Sequence, residues 1–242
     1  AARTAFGVLL GLFLLNACAA KHDSGGMVST QSLDEAWSVY NQGNCARSGA
    51  LFQALASQEE HPSALNGLGM SLMACGEPEG AAEAFRRASA VAPGVAELRV
   101  NYGNALFSMG KYSEAERQFD AALKIAPGQA TASLGKAAAM LKTNRTQEAM
   151  TLLGRLQKQM PDSPELKFNQ AIAMYQNGLY PDAAAIFADY LRMRPDDAEA
   201  WNALGVVELA EKQTQKAKSS FDRAIGLVSN RGAYYFNRGN AQ

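Results

Sequence analysis

The sequence predicts an all-α fold in which antiparallel helix pairs stack on one another in a linear array. Three features recur at a spacing of 34 residues: a helix-closing proline, a small residue and a large apolar residue. The prolines are Pro93, Pro127, Pro161 and Pro195; the small residues are Ala81, Ala115, Ala149, Ala183 and Ala217; the large apolar residues are Phe85, Phe119, Leu153, Phe187 and Phe221. A pattern with this period is typical of helical repeats, in which each repeat buries its apolar face against its neighbours.

The composition agrees with such an array and argues against a nucleic-acid-binding protein. Hydrophobic residues make up 48% of the chain, and many of them are alanines, which suit close contacts between helices. Lys+Arg and Asp+Glu both number 23, so the formal net charge is zero. Proteins that bind nucleic acids usually carry a basic excess on one face. We therefore expect no nucleic-acid partner.

The chain begins with the pattern of a secretory signal peptide, which we place at residues 1–17. Residues 5–15 form an uninterrupted apolar run that follows Arg3. This run is too short to cross a hydrocarbon core of about 30 Å, which needs about 20 apolar residues. Its length and basic flank are those of a signal peptide.

The segment Leu15-Asn16-Ala17-Cys18 resembles the lipobox of bacterial lipoproteins. The resemblance implies that Cys18 becomes the lipid-modified first residue of the mature chain. Because Ala19 follows it instead of Asp, the resemblance also implies a lipid anchor in the outer membrane, on the periplasmic face. Residues 18–32 would then be a polar tether that reaches at most ~40 Å. The alternative is an ordinary secretory signal, with Cys18 an incidental thiol.

The helical array is predicted over residues 33–242, as about five repeats and a C-terminal half-repeat. An irregular first pair precedes Pro62 and is interpreted as an N-terminal cap, since terminal repeats are usually atypical. In the repeat that begins at Ala130, Ala137 and Asn144 replace the glycines expected in the helix contact and the turn. Regular repeats begin at Pro62, Ala96, Ala130, Pro164 and Ala198, and the half-repeat begins at Gly232.

These positions resemble the tetratricopeptide repeat family from roughly Ser29 to the end of the chain. The match is clearest in residues 96–129, at Gly103, Ala115, Phe119, Ala122 and Pro127. The resemblance implies a right-handed superhelix that binds other proteins. The small residues would let two helices approach closely, and the ring at Phe119 would fill the space between one repeat and the next. We therefore expect all of these residues to lie in the core.

In this family the first helix of each repeat lines a concave face. The side chains that would face it here form an apolar stripe with a few amides, namely Asn66, Met70, Met73, Val100, Asn104, Phe107, Leu134, Leu141, Phe168, Ile172, Tyr175 and Val206. A contiguous apolar lining indicates a partner site, and an amphipathic helix is a natural ligand for it. The alternative is that tight curvature lets these residues pack on one another.

The sequence contains no pattern that indicates an enzyme, a cofactor or a metal site. His22 and His61 lack neighbouring ligands at metal-binding spacing, and no glycine-rich phosphate loop is present. Cys45 and Cys75 lie near the turns of adjacent repeats, where equivalent points are about 8–10 Å apart. A disulfide needs Cα atoms within roughly 7 Å. We therefore expect two ordinary thiols, with a disulfide as the alternative because the two positions are not identical.

The sequence thus predicts a non-enzymatic, periplasmic scaffold that is lipid-anchored in the outer membrane and binds another envelope protein. In architecture it resembles the lipoproteins of pilus and secretin assembly, including Tad-type and type IV pilus pilotins. One alternative is a structural subunit that self-associates or docks end-on through its apolar C-terminal half-repeat. Another is an adaptor for a peptidoglycan hydrolase or protease.

Overall fold

The computed structural model of the protein describes residues 29–241, and these form thirteen α-helices and no strand. The all-α fold is confirmed. The predicted signal peptide and Cys18 lie outside the described residues. Among the described helices, none combines the length and the apolar character that a membrane crossing requires.

The helices alternate as the first and second members of antiparallel pairs. They are α1 (Thr30–Asn41), α2 (Cys45–Gln58), α3 (Pro62–Ala74), α4 (Pro78–Val91), α5 (Ala96–Ser108), α6 (Tyr112–Ile125), α7 (Ala130–Lys142), α8 (Thr146–Leu156), α9 (Pro164–Gln176), α10 (Tyr180–Met193), α11 (Ala198–Ala210), α12 (Thr214–Leu227) and α13 (Gly232–Gly239). Every regular repeat and the half-repeat begins at its predicted residue. The chain divides into two compact units, residues 29–139 and residues 140–241.

Helix starts follow the capping chemistry of the sequence. Pro62 and Pro164 occupy the first turns of α3 and α9, where a missing N–H costs nothing. Ser163 and Asp197 accept hydrogen bonds from backbone N–H groups of α9 and α11. Ser29 caps α1 in the same way, so the helix begins at Thr30, before the predicted start of the array at residue 33.

The turns between paired helices contain a residue in the left-handed conformation, and the sequence predicts a glycine there in only some repeats. Gly110 has φ +75° between α5 and α6, as its glycine predicts. Asn144, which replaces the turn glycine, has φ +60°, a conformation that asparagine tolerates. Lys212 adopts φ +62° in the equivalent turn before α12. The backbone geometry of the turn is therefore kept even where its glycine is lost.

In residues 29–139 an aromatic ring of a second helix packs directly on glycines of first helices. A Cβ atom built on Gly103 would lie 2.7 Å from the Phe119 ring, and one built on Gly135 would lie 2.6 Å from it. Phe52 packs on Gly67 in the same manner, since a Cβ atom built on Gly67 would lie 2.4 Å from its ring. Phe119 is fully buried, so it links its own repeat to the next one.

In residues 140–241 the same contact is found at Phe221. Phe221 packs on Gly205, where an added Cβ would lie 2.6 Å from the ring. In the preceding repeat Tyr190 takes the place where alanine is usual. Its ring meets Phe168 edge-on, and its hydroxyl donates to the carboxylate of Asp197, so the larger side chain is accommodated with its polar atom satisfied.

Cys45 and Cys75 form a disulfide, so the expectation of two free thiols is wrong. Their Cα atoms are 5.6 Å apart. The two residues lie at adjacent ends of antiparallel helices, because Cys45 begins α2 and Cys75 caps the end of α3. Small side chains next to the bond let the helices approach, and the hydroxyls of Ser48 and Ser71 are hydrogen-bonded at 2.8 Å.

We predict that Phe119→Ala lowers the free energy of unfolding by roughly 3–5 kcal/mol, because it removes a fully buried ring that contacts two repeats. Urea unfolding followed by circular dichroism measures the loss. Ile125→Ala, on the same helix at 39% exposure, is the matched control and should cost far less. A loss below about 1 kcal/mol for Phe119→Ala would contradict the ring-on-glycine packing.

We predict that reducing the bond between Cys45 and Cys75 lowers the free energy of unfolding by about 3–4 kcal/mol, the entropy expected for a loop of this length. The Cys45→Ser, Cys75→Ser double variant should unfold like the reduced protein and should not respond to reductant. If alkylation modifies both cysteines of the denatured protein without a reductant, the bond is absent.

Candidate protein-binding groove

The predicted stripe lies on the first helices, and its side chains differ in how much area they expose. Five of them are buried, at 2–7% exposure: Val100, Phe107, Leu134, Leu141 and Ile172. The others are half-buried: Asn66, Met70, Met73, Asn104, Phe168, Tyr175 and Val206. The half-buried side chains are the ones that offer area to a partner.

In residues 29–139 the half-buried part of the stripe consists of thioethers and amides. Met70 and Met73 pack beside the buried side chains of Phe85 and Ala105. The Nδ2 of Asn101 donates to Oδ1 of Asn66 at 2.9 Å and thereby couples α5 to α3. Methionine side chains are flexible and polarizable, so this surface can adapt to ligands of irregular shape.

In residues 140–241 the half-buried part of the stripe is largely aromatic. Phe168 meets the rings of Phe187 and Tyr190 edge-on, with centroids 5.6 and 5.4 Å away. Tyr175 packs on Tyr180 at 5.7 Å, and burial raises the pKa of its hydroxyl. Val206 packs against the cluster around Phe221. These rings are held by neighbours, so they form a firmer surface than the methionines.

Amide pairs join successive first helices, and no pattern in the sequence indicated them. Asn237 donates to Oδ1 of Asn202 at 2.9 Å, in the same arrangement as Asn101 and Asn66. Both pairs span 35 residues, one more than the repeat. Asn202 is 1% exposed, so its hydrogen bond satisfies a buried amide and fixes the register of α11 and α13.

Glu199 is a second feature that the sequence did not reveal. It lies in the first turn of α11 and is 7% exposed. Its Oε2 is 3.7 Å from Nη1 of Arg231, whereas its Oε1 is buried and has no hydrogen-bond partner. Burial raises the pKa of the Glu199 carboxyl to about 7; Arg231 and Lys142 lower it, and Asp197 raises it further.

The described residues show no arrangement typical of a metal centre. No group of three or more His, Cys, Asp or Glu side chains between residues 29 and 241 is placed to hold an ion. The chemistry that this surface offers is contact and hydrogen bonding: thioethers, rings, amides and one buried carboxylate.

Comparison of the sequence with protein-family models finds two models, both described as tetratricopeptide repeat. One matches residues 33–96 and 168–241, and the other matches residues 72–122 and 106–173. Together they cover most of the chain. Comparison with curated protein sequences finds no significant match.

Among solved structures, three similar ones show the same fold. PilW, described as a widely conserved type IV pilus biogenesis factor, is 19% identical with a TM-score of 0.72, over 86% of this chain and 99% of PilW. PilF of Pseudomonas aeruginosa is 15% identical with a TM-score of 0.67, over 87% of this chain and 96% of PilF. A chain of the APC/C hetero-tetramer Cut9–Hcn1 is 14% identical with a TM-score of 0.79, over 87% of this chain but 42% of that one. This chain therefore spans less than half of the Cut9–Hcn1 relative.

Proposed function

This chain belongs to the tetratricopeptide repeat family, and we propose that it is a scaffold of the bacterial cell envelope that binds another envelope protein during assembly of a pilus or secretin. Tetratricopeptide repeats bind other proteins, so protein binding is the general function of the chain. The main observation behind the proposed binding of an envelope protein is the half-buried stripe of methionines, rings and amides on the first helices.

The chemistry of the stripe favours an amphipathic helix as the bound segment. Such a helix presents apolar side chains at three- and four-residue spacing to a groove. Within residues 29–139, Met70 and Met73 supply apolar contacts and Asn104 supplies an amide that can accept or donate. Within residues 140–241, Phe168 and Tyr175 supply apolar contacts. The proposed mechanism is non-catalytic: the chain holds a segment of its partner while the pilus or secretin assembles.

Location in the envelope is supported by two independent features. The disulfide between Cys45 and Cys75 is of a kind that persists in oxidising compartments such as the periplasm and is rare in the cytosol. The apolar run at residues 5–15 and the lipobox-like segment before Cys18 are the pattern of an exported lipoprotein. We propose a lipid anchor on Cys18 in the outer membrane, with the repeats on the periplasmic side.

The proposal of a pilus or secretin rests on the structural similarity of this chain to PilW and PilF. The similarity extends over nearly the whole length of both proteins. PilW is described as a pilus biogenesis factor, and that description is the reason for proposing a role of the same kind here.

A second candidate function is self-association or end-on docking through the C-terminal half-repeat. The observation that favours it is on α13, where Phe236 is 70% exposed and Tyr235 is 45% exposed. Exposed rings next to each other are typical of contact surfaces. This candidate places the interaction on α13, whereas the stripe residues to be varied belong to α5 and α9, so variants separate the two.

We predict that Asn104→Arg with Tyr175→Arg reduces recovery of the partner at least tenfold, since each guanidinium would lose its water on contact with an apolar helix. Partners are recovered from solubilised membranes after cross-linking and are quantified by mass spectrometry. Ser113→Arg with Gln215→Arg, at exposed sites on second helices, is the matched control and should leave recovery unchanged.

Circular dichroism should report native helicity for both double variants. Unchanged recovery with Asn104→Arg and Tyr175→Arg, together with loss of recovery on Phe236→Ser, would contradict the groove and support the α13 surface.

We predict that cells expressing the wild-type protein incorporate a fatty-acid analogue into it, whereas Cys18→Ser abolishes the label, because the thiol is the proposed acylation site. Labelling followed by in-gel fluorescence measures this, and Cys45→Ser with Cys75→Ser is the control that keeps the label. Equal labelling of the wild-type and Cys18→Ser proteins would exclude the anchor.

A further inference from the structure

Glu199 lies in line with the stripe on α11. Glu199, Asn202, Val206 and Leu209 follow one another at spacings of three, four and three residues. Residues at this spacing share one face of an α-helix. The carboxylate therefore stands at the N-terminal end of the same face that presents Val206.

Ordinary first-turn carboxylates in this chain are satisfied by their surroundings. Glu165, at the equivalent place on α9, accepts from Ser163 at 3.0 Å and from Arg194 at 3.3 Å. Glu97, at the equivalent place on α5, is exposed to water. Both gain from the helix N-terminus in the usual way. Glu199 differs because it is buried while its Oε1 has no hydrogen-bond partner.

The charged groups around Glu199 do not supply a donor to Oε1. Arg231, which precedes α13, lies 3.7 Å from the other oxygen, and its side chain is 53% exposed. Asp197 repels the carboxylate and is itself engaged by Tyr190 and by the backbone of α11. Lys142 attracts it, and Tyr234 is a buried neighbour whose pKa is raised by burial and by Glu199.

A buried polar atom without a partner costs free energy, so such an atom in a folded protein calls for an explanation. Oε1 is itself buried, so a donor that arrives with a ligand would satisfy it once the side chains that cover this oxygen move aside. A cationic donor is the best match, because a hydrogen bond to an ionised partner is roughly twice as strong as a neutral one.

We propose that Glu199 selects a cationic side chain of the partner, so that the bound segment is an amphipathic helix with apolar residues on Phe168, Tyr175 and Val206 and a lysine or arginine that donates to Oε1. This inference rests on the proposed function and adds the charge that the partner must carry. All four residues belong to the unit formed by residues 140–241.

The pKa of Glu199 makes the selection dependent on pH. Because burial raises that pKa to about 7, the carboxyl is mostly protonated at pH 6 and mostly ionised at pH 8. Only the ionised form pairs with a cation. Binding of a cationic partner therefore releases a proton, and its affinity should rise by about tenfold between these two pH values.

The probes are stapled helical peptides with leucines at i, i+3 and i+7. Two carry one lysine, at either end of the apolar face, and the matched neutral peptides carry glutamine there. Fluorescence anisotropy with the full chain measures affinity at pH 6 and pH 8. We expect one lysine peptide to bind about tenfold more tightly at pH 8, while the glutamine peptides do not change.

The Glu199→Gln protein should bind both kinds of peptide with no dependence on pH, because the amide keeps the shape and removes the titrating group. Glu165→Gln, at the equivalent place on α9, is the control and should keep the pH effect. Lysine and glutamine peptides that bind equally, or a pH effect that survives Glu199→Gln, would overturn the selection and leave the groove in place. If no peptide binds, both proposals fall.

Discussion

The packing of an aromatic ring on a glycine is the contact on which the rest of the structure depends. Phe119 lies so close to Gly103 and Gly135 that a methyl group on either would overlap its ring. One side chain therefore sets the distance within its own repeat and the distance to the next. Where alanine replaces the glycine at Ala137, the ring is replaced too, since Leu153 occupies the core at 1% exposure. In the next repeat Ala171 takes the glycine position while Phe187 keeps a fully buried ring, so the contact varies from repeat to repeat while both positions stay apolar and buried.

The fold could be predicted from the sequence because contacts in a repeat array are local. Spacing alone located Pro62, Ala96 and Pro164 as helix starts, and the structure begins helices there. The disulfide could not be predicted from the repeat spacing, because the distance of about 8–10 Å applies to equivalent points on stacked helices. Cys45 and Cys75 instead lie at neighbouring ends of antiparallel helices, and the small side chains of Ser48 and Ser71 bring those ends together.

The sequence predicted which residues lie on the candidate groove, but it did not predict how exposed each of them is. A position within the repeat fixes the side of the helix on which a residue lies, yet it does not fix how far its neighbours cover it. Phe107 is 5% exposed, whereas Phe168 is half-buried. The amide pairs escaped detection because they join residues 35 apart, one more than the 34-residue repeat, so the two partners do not occupy equivalent positions. Glu199 escaped it because the groups that interact with its carboxylate near α13, Arg231 and Tyr234, come more than 30 positions later in the chain.

The two units offer different chemistry to a partner, and this difference bears on how specificity arises. Residues 29–139 present Met70, Met73 and the amide of Asn104, which adapt to a ligand but discriminate weakly. Residues 140–241 present Phe168 and Tyr175, whose rings are held by aromatic neighbours, together with a buried carboxylate. Rigid aromatic anchors and desolvated charges are the features that usually dominate binding energy. Selection of a partner should therefore reside in residues 140–241, whereas the surface of residues 29–139 tolerates variation in what it contacts.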